Sequence, residues 1–198
     1  HFVCGAGPGA FELFYPQWVP GNHAPRGPIE QIAGLRFRVD GRELNWQRDP
    51  ANAYRFTVVL PAGTRQLQVE FQVASPQNSE QGRVLVGSEA LALQWNQVLM
   101  YPAGYRARDI TVQATLQLPA GWKYATALRP DAQLSATSSD RITFVAEPLE
   151  QLVDSPLMAA RLLRQYDLTP RGSVPVTLSL LAEDAAQNGD GVEADLHH

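Results

Sequence analysis

Apolar and polar residues alternate along much of the chain. Leu35, Phe37 and Val39 alternate with arginines, and the pattern resumes at Leu44 and Trp46 after Asp40-Gly41, the signature of a two-residue hairpin turn. Tyr54, Phe56, Val58 and Leu60 lead to Pro61-Ala62-Gly63 and return through Leu67, Val69, Phe71 and Val73, which predicts a second hairpin. Further alternating runs occupy residues 91–100, then Ile110, Val112, Leu116 and Leu118, then Ile142 and Phe144, then Val176, Leu178 and Leu180. Strands this short and this closely spaced predict an all-β fold, an antiparallel sandwich of short strands and hairpins. Asp154-Ser155-Pro156 is the one helix-like start, so at most one short helical turn is expected, near 155–160. Residues 162–168 fit either an extension of that helix or a strand. The proline- and glycine-rich stretches 5–10 and 16–28 predict loops, the second carrying Tyr15 at its edge with Trp18, His23 and Arg26.

Composition narrows the function classes. The 198 residues are 44% hydrophobic, ample for a buried core, while a net charge of −4 and 18% charged residues make nucleic acid an unexpected partner. No run approaches the roughly 18 to 20 apolar residues of a spanning helix. The lone Cys4 cannot form an internal disulfide and is read as incidental. The chain opens on His1 and closes on Leu196-His197-His198, the pattern expected of a cut piece ending in purification-tag residues; residues 1–183 are read as one β domain and 184–198 as a linker plus tag.

Candidate chemistry is sparse. With the terminal histidines set aside only His23 remains, and there is no H-E-x-x-H, no C-x-x-C and no G-x-S-x-G, so neither a zinc site nor a nucleophilic triad is expected here. His23 reads as a hydrogen-bonded loop anchor. Glu147, Glu150 and Asp154 read as solvated charges with Asp154 as a helix cap, and the acidic tail with Asp184, Asp190, Glu193 and Asp195 lacks a calcium-loop pattern. The rings of Trp18, Trp95, Tyr101 and Tyr105 stand in loop-prone stretches, where aromatics pack on a partner or stack on sugars.

Several motifs then fall into one order. Tyr15-Pro16-Gln17-Trp18-Val19-Pro20-Gly21-Asn22-His23, Leu93-Gln94-Trp95-Asn96-Gln97 with Tyr101-Pro102-Ala103-Gly104, Gly121-Trp122 leading to Ala125-Thr126-Ala127-Leu128, and Leu152-Val153-Asp154-Ser155-Pro156-Leu157 resemble the N-terminal domain of the glycyl aminopeptidase family of zinc metallopeptidases, over residues 11–183. The resemblance implies a saddle-like β domain, followed in the parent by a thermolysin-like catalytic domain that supplies zinc and general base from an H-E-x-x-H helix. No cofactor is expected in this chain itself, and zinc is expected only in the parent. The implied partners are the catalytic domain of the same polypeptide and a peptide substrate with a small N-terminal residue, in a bacterial periplasmic or secreted setting. In the related aminopeptidase and leukotriene hydrolase group this domain offers a polar side chain to the substrate's free amine from a strand leading into a proline turn. Gln94, Asn96, Gln97 and Tyr101 are the matching positions here, and Tyr15, Trp18, Pro20, Gly21 and His23 form the family signature loop. The family has a further strand before Tyr15, and residues 1–10 match it poorly, so a missing or distorted edge strand is expected. An alternative from another class is an independent secreted β-sandwich that grips a glycan or a protein.

Overall fold

A computed structural model describes residues 2–5, 7–19, 23–75, 85–135, 141–169 and 174–182. The chain passes back and forth between two compact units, one built from His1–Pro76 and Gln94–Ile110, the other from Gln77–Leu93 and Thr111–His198. The strands in order are β1 (Phe2–Gly5), β2 (Gly9–Phe14), β3 (Ile32–Val39), β4 (Arg42–Leu44), β5 (Trp46–Arg48), β6 (Arg55–Leu60) and β7 (Gln66–Val73). They continue as β8 (Leu85–Val86), β9 (Ala90–Leu93), β10 (Tyr101–Pro102), β11 (Thr111–Val112), β12 (Thr115–Gln117) and β13 (Lys123–Thr126). The last are β14 (Arg141–Thr143), β15 (Glu147–Pro148), β16 (Leu157–Ala160), β17 (Leu162–Asp167) and β18 (Thr177–Ala182). The ladders are antiparallel, so the all-β expectation holds.

The first unit pairs two four-stranded sheets, β1-β7-β3-β4 and β10-β2-β6-β5. Period-two alternation turns Phe37, Val39, Leu67 and Val69 of one sheet and Leu13, Phe56, Val58 and Leu60 of the other into a shared core with Tyr15 and Met100. The hairpin at Asp40-Gly41 forms as expected, with Val39 opposite Arg42 and both turn residues at positive φ, 48° and 77°. Beyond it the chain leaves that sheet, and Trp46 pairs in the other one, its ring against Phe37 and Phe56 at 6.0 and 5.5 Å.

The expected second hairpin does not form. β6 and β7 lie in different sheets, so Pro61-Ala62-Gly63 carries the chain across the core instead of folding it back on its neighbour. Alternation reports which face of a strand is buried and is silent about its partner; both strands bury the same kind of face, which suits a crossover as well as a hairpin. The loop expected over 5–10 is also shorter, since Gly5 ends β1 and Gly9 begins β2, and β1 is present as an edge strand where a missing or distorted one was expected.

The second unit contains the sheet β13-β16-β9-β8 and the pairs β11-β15, β12-β14 and β17-β18. Two short α-helical segments occur among the described residues, α1 (Ala132–Ser135) and α2 (Leu149–Val153). The helical turn expected near 155–160 is therefore displaced: Asp154 and Ser155 sit at the end of α2, where the buried Ser155 hydroxyl donates to the Gln151 carbonyl at 2.8 Å, and Leu157–Ala160 is a strand. Flanked by β13 and β9, with Leu157, Ala159 and Ala160 fully buried, this segment gains more from two ladders than its helix propensity offers. Residues 162–168 resolve in favour of the strand β17, with Leu168 still bonded to Val176 beyond it.

Candidate functional site

Residues 91–100 were expected to alternate as one strand. β9 instead ends at Leu93, and Trp95–Gln97 forms a 3-10 turn that holds together through Gln97 N–H to Gln94 O and Val98 N–H to Trp95 O, both 3.0 Å. The turn and the segment after it, as far as Ile110, belong to the first unit. All three residues of the turn, Trp95, Asn96 and Gln97, are buried, Asn96 and Gln97 being 4% and 3% exposed, while Gln94 before them stays half-buried in extended conformation. The side-chain oxygens Asn96 Oδ1 and Gln97 Oε1 are buried with no donor among the described residues. The turn is therefore rich in acceptors, an environment that favours a cationic or N–H-bearing group nearby. Tyr101 opens β10 opposite Phe14 of β2, half-buried with the two rings 6.0 Å apart, and burial pushes its phenol up from the ordinary value.

The turn is held from behind by the signature loop. The Tyr15 hydroxyl donates to the Gln97 carbonyl at 2.9 Å, inside the core. Tyr15 is fully buried, its N–H donates to the Tyr54 carbonyl at 2.9 Å, and the two rings stack at 6.5 Å and 12°. Burial first, and then the Glu30 carboxylate, push its phenol well above the ordinary tyrosine range, so it remains a donor. Further along, Gly27 N–H bonds Gln17 O at 3.0 Å, and the Tyr54 hydroxyl donates to the Gly27 carbonyl at 3.0 Å. A Cβ at Gly27 would lie 1.8 Å from the Pro16 carbonyl oxygen, so only glycine lets the two ends of the loop close this tightly. These anchors were not singled out by reasoning from residue types, which pointed to His23; that side chain is exposed and makes no hydrogen bond to another described residue. Trp18 is 63% exposed beside buried Val19, and Pro20 and Gly21 lie outside the described residues.

The remaining candidates scatter. Glu147 pairs with Arg129 at 3.0 Å, Glu150 and Asp154 are exposed, and Asp154 follows α2 instead of capping its start. The acidic tail lies outside the described residues. Among the described residues no three His, Cys, Asp or Glu side chains gather as a metal site would require. No described helix is long and apolar enough to cross a membrane. The second unit carries an open cavity of about 990 Å³ lined by Leu128, Ile142 and Leu163 together with Lys123 and Arg164. Tyr166 lines it too, with its hydroxyl buried and unpartnered among the described residues. None of the candidate substrate-binding residues lines it, whereas Trp122, Ala125, Thr126 and Leu128 of the third motif do.

Short antiparallel strands in small sheets, with a buried amide-rich turn clamped by a glycine-dependent loop, define the class as an all-β domain. Its fold matches a solved aminopeptidase N family protein from Idiomarina loihiensis with a TM-score of 0.73 at 18% identity, over 89% of this chain and 29% of that one. Residues 3–161 match the Peptidase M61 N-terminal domain, and the chain belongs to that family as the N-terminal domain of a glycyl aminopeptidase-type peptidase. No curated protein sequence matches it at significant similarity. The chain spans under a third of the length of the solved neighbour.

Proposed function

We propose that this domain packs on the catalytic domain of a zinc metalloaminopeptidase in the same polypeptide and forms part of the cleft that receives peptides with a small, unblocked N-terminal residue. The observation that carries the reading is the Gln94–Gln97 turn, a half-buried carboxamide mounted on a buried, acceptor-rich support in a member of the M61 family. Gln94 is the accessible member of the set and presents its carboxamide oxygen to the substrate ammonium, while the unpaired oxygens of Asn96 and Gln97 keep the turn favourable to a cation. Tyr101, at the start of the proline turn, packs on Phe14 and shapes the apolar side of the approach. The work done here is orientation, because an amide oxygen neither takes nor gives a proton at neutral pH. Zinc, when bound, would polarise the scissile carbonyl in the catalytic domain; this chain's described residues supply no site for it. The proposed setting of the parent is the bacterial periplasm or the cell exterior, and the family resemblance is its support.

The test is hydrolysis of a glycyl chromogenic amide by the full reading frame containing this chain, with and without a zinc chelator, alongside Gln94→Ala in the same protein. Chelator-sensitive cleavage with KM raised about tenfold in Gln94→Ala supports the reading, because lost orientation of a bound ammonium weakens substrate binding and the transition state together. Cleavage with unchanged KM and kcat in Gln94→Ala removes the amine-binding role, and absence of cleavage by the folded, zinc-supplied protein removes the peptidase role.

A further inference from the structure

A 3-10 turn leaves its last carbonyls without intrahelical donors, and at Gln97 that carbonyl is buried. It is met by one hydroxyl, that of Tyr15, from a residue 82 positions earlier in the chain. Packing does not require that hydroxyl, since phenylalanine would fill the same space and stack on Tyr54 equally well. A buried O–H is costly unless it is bonded, so the choice of tyrosine is explained by its acceptor. The ring is held further by the Tyr54 stack, with Tyr54 itself tied to Gly27 and Gly27 closely apposed to Pro16.

We infer that Tyr15 is a positioning residue, whose hydroxyl fixes the Gln94–Gln97 turn and through it sets where the Gln94 carboxamide meets the substrate's ammonium group. The inference rests on the reading proposed above. It assigns the signature loop a function in substrate orientation, beyond filling the core.

The experiment uses the full-length peptidase, with Tyr15→Phe, Gln94→Ala and the double variant assayed on a glycyl chromogenic amide, and amide exchange followed at Gln97 and Val98. Tyr15→Phe is expected to raise KM about fivefold to tenfold with kcat within about twofold, short of the ~100-fold that a misplacement of a full ångström can cause. Exchange at Gln97 and Val98 quickens, because both N–H bonds belong to the turn that the hydroxyl holds. In the double variant the loss is no larger than in Gln94→Ala alone, which a merely structural role for Tyr15 would not produce. If Gln94→Ala raises KM while Tyr15→Phe does not, or if the two losses add, the inference is overturned and the reading of Gln94 stands. If Gln94→Ala changes nothing, both fall. Should Tyr15→Phe fail to accumulate, Tyr54→Phe decides: a smaller KM rise that vanishes in the Gln94→Ala background supports the inference, and an unchanged KM overturns it.

Discussion

The two units bury their apolar residues in different ways. In the first, two sheets close over one continuous, aromatic-rich core, and that core reaches outward through Tyr15 to fix a loop and a turn far apart in sequence. In the second, buried residues are shared among a small sheet and three two-stranded pairs, and Leu128, Ile142 and Leu163 border an open cavity of about 990 Å³. A single dense core can hold a side chain to the tolerance that orientation demands, whereas short pairs around an open space tolerate repacking. The residues proposed to orient substrate, Gln94, Asn96, Gln97 and Tyr101, all belong to the first unit.

Matched truncations test that contrast most strongly. Leu67→Ala, at a fully buried position in the dense core, is expected to cost about 4–5 kcal/mol, and Leu163→Ala beside the cavity about 2–3 kcal/mol, because a site that already borders open space relaxes more completely. Urea denaturation of the two variants reads this directly, and equal losses would remove the distinction. Gly27→Ala comes next, at about 1–3 kcal/mol, since the added carbon meets backbone at Pro16 and cannot be relieved by a rotamer change.

Alkaline pH supplies a third test. Tyr15 has an ordinary phenol pKa of 10.0 and is raised in the folded protein, mainly by burial and secondarily by Glu30. A raised folded pKa means that its contribution is fully present below pH 10 and is lost as pH rises through the folded value, because only the unfolded chain releases the proton in that window. Stability should fall above about pH 10, and Tyr15→Phe should flatten the fall. Tyr54, Tyr101 and Tyr124 are raised by burial as well and leave a residual slope. The smallest effect is expected at the surface of the first unit. Glu12→Gln weakens the half-exposed pair with Arg55 and should lower the unfolding temperature only slightly, by less still in salt, as thermal unfolding at two ionic strengths would register.

The Asp40-Gly41 hairpin was legible because its instructions are local: two turn residues that accept positive φ, flanked by alternating strands. The partner of β7 was not legible, because period two fixes a face and leaves pairing to whichever edge the rest of the fold provides. The displaced helix shows the same limit. Asp154-Ser155-Pro156 has the residues of a helix start, yet Leu149–Val153, preceded by Pro148, occupies the helix, and the serine closes it from the other end. At the candidate site the motif positions were readable in order, but the burial of Asn96 and Gln97 was not. Leu91, Leu93 and Trp95 continue the strand pattern into a turn whose last carbonyl is bonded to a tyrosine 82 residues away, a contact with no local signal.

That separation also orders events while the chain is being made. When Tyr15 leaves the ribosome its acceptor does not yet exist, and at about 5–20 residues per second the wait for Gln97 lasts roughly 4–16 s. Until then a tyrosine meant for the interior, and the strand β2 beside it, stand before an unfinished wall. Such an interval gives holding chaperones a reason to visit the nascent amino-terminal half, and it makes the arrival of residues 94–102 the moment at which the first unit can close.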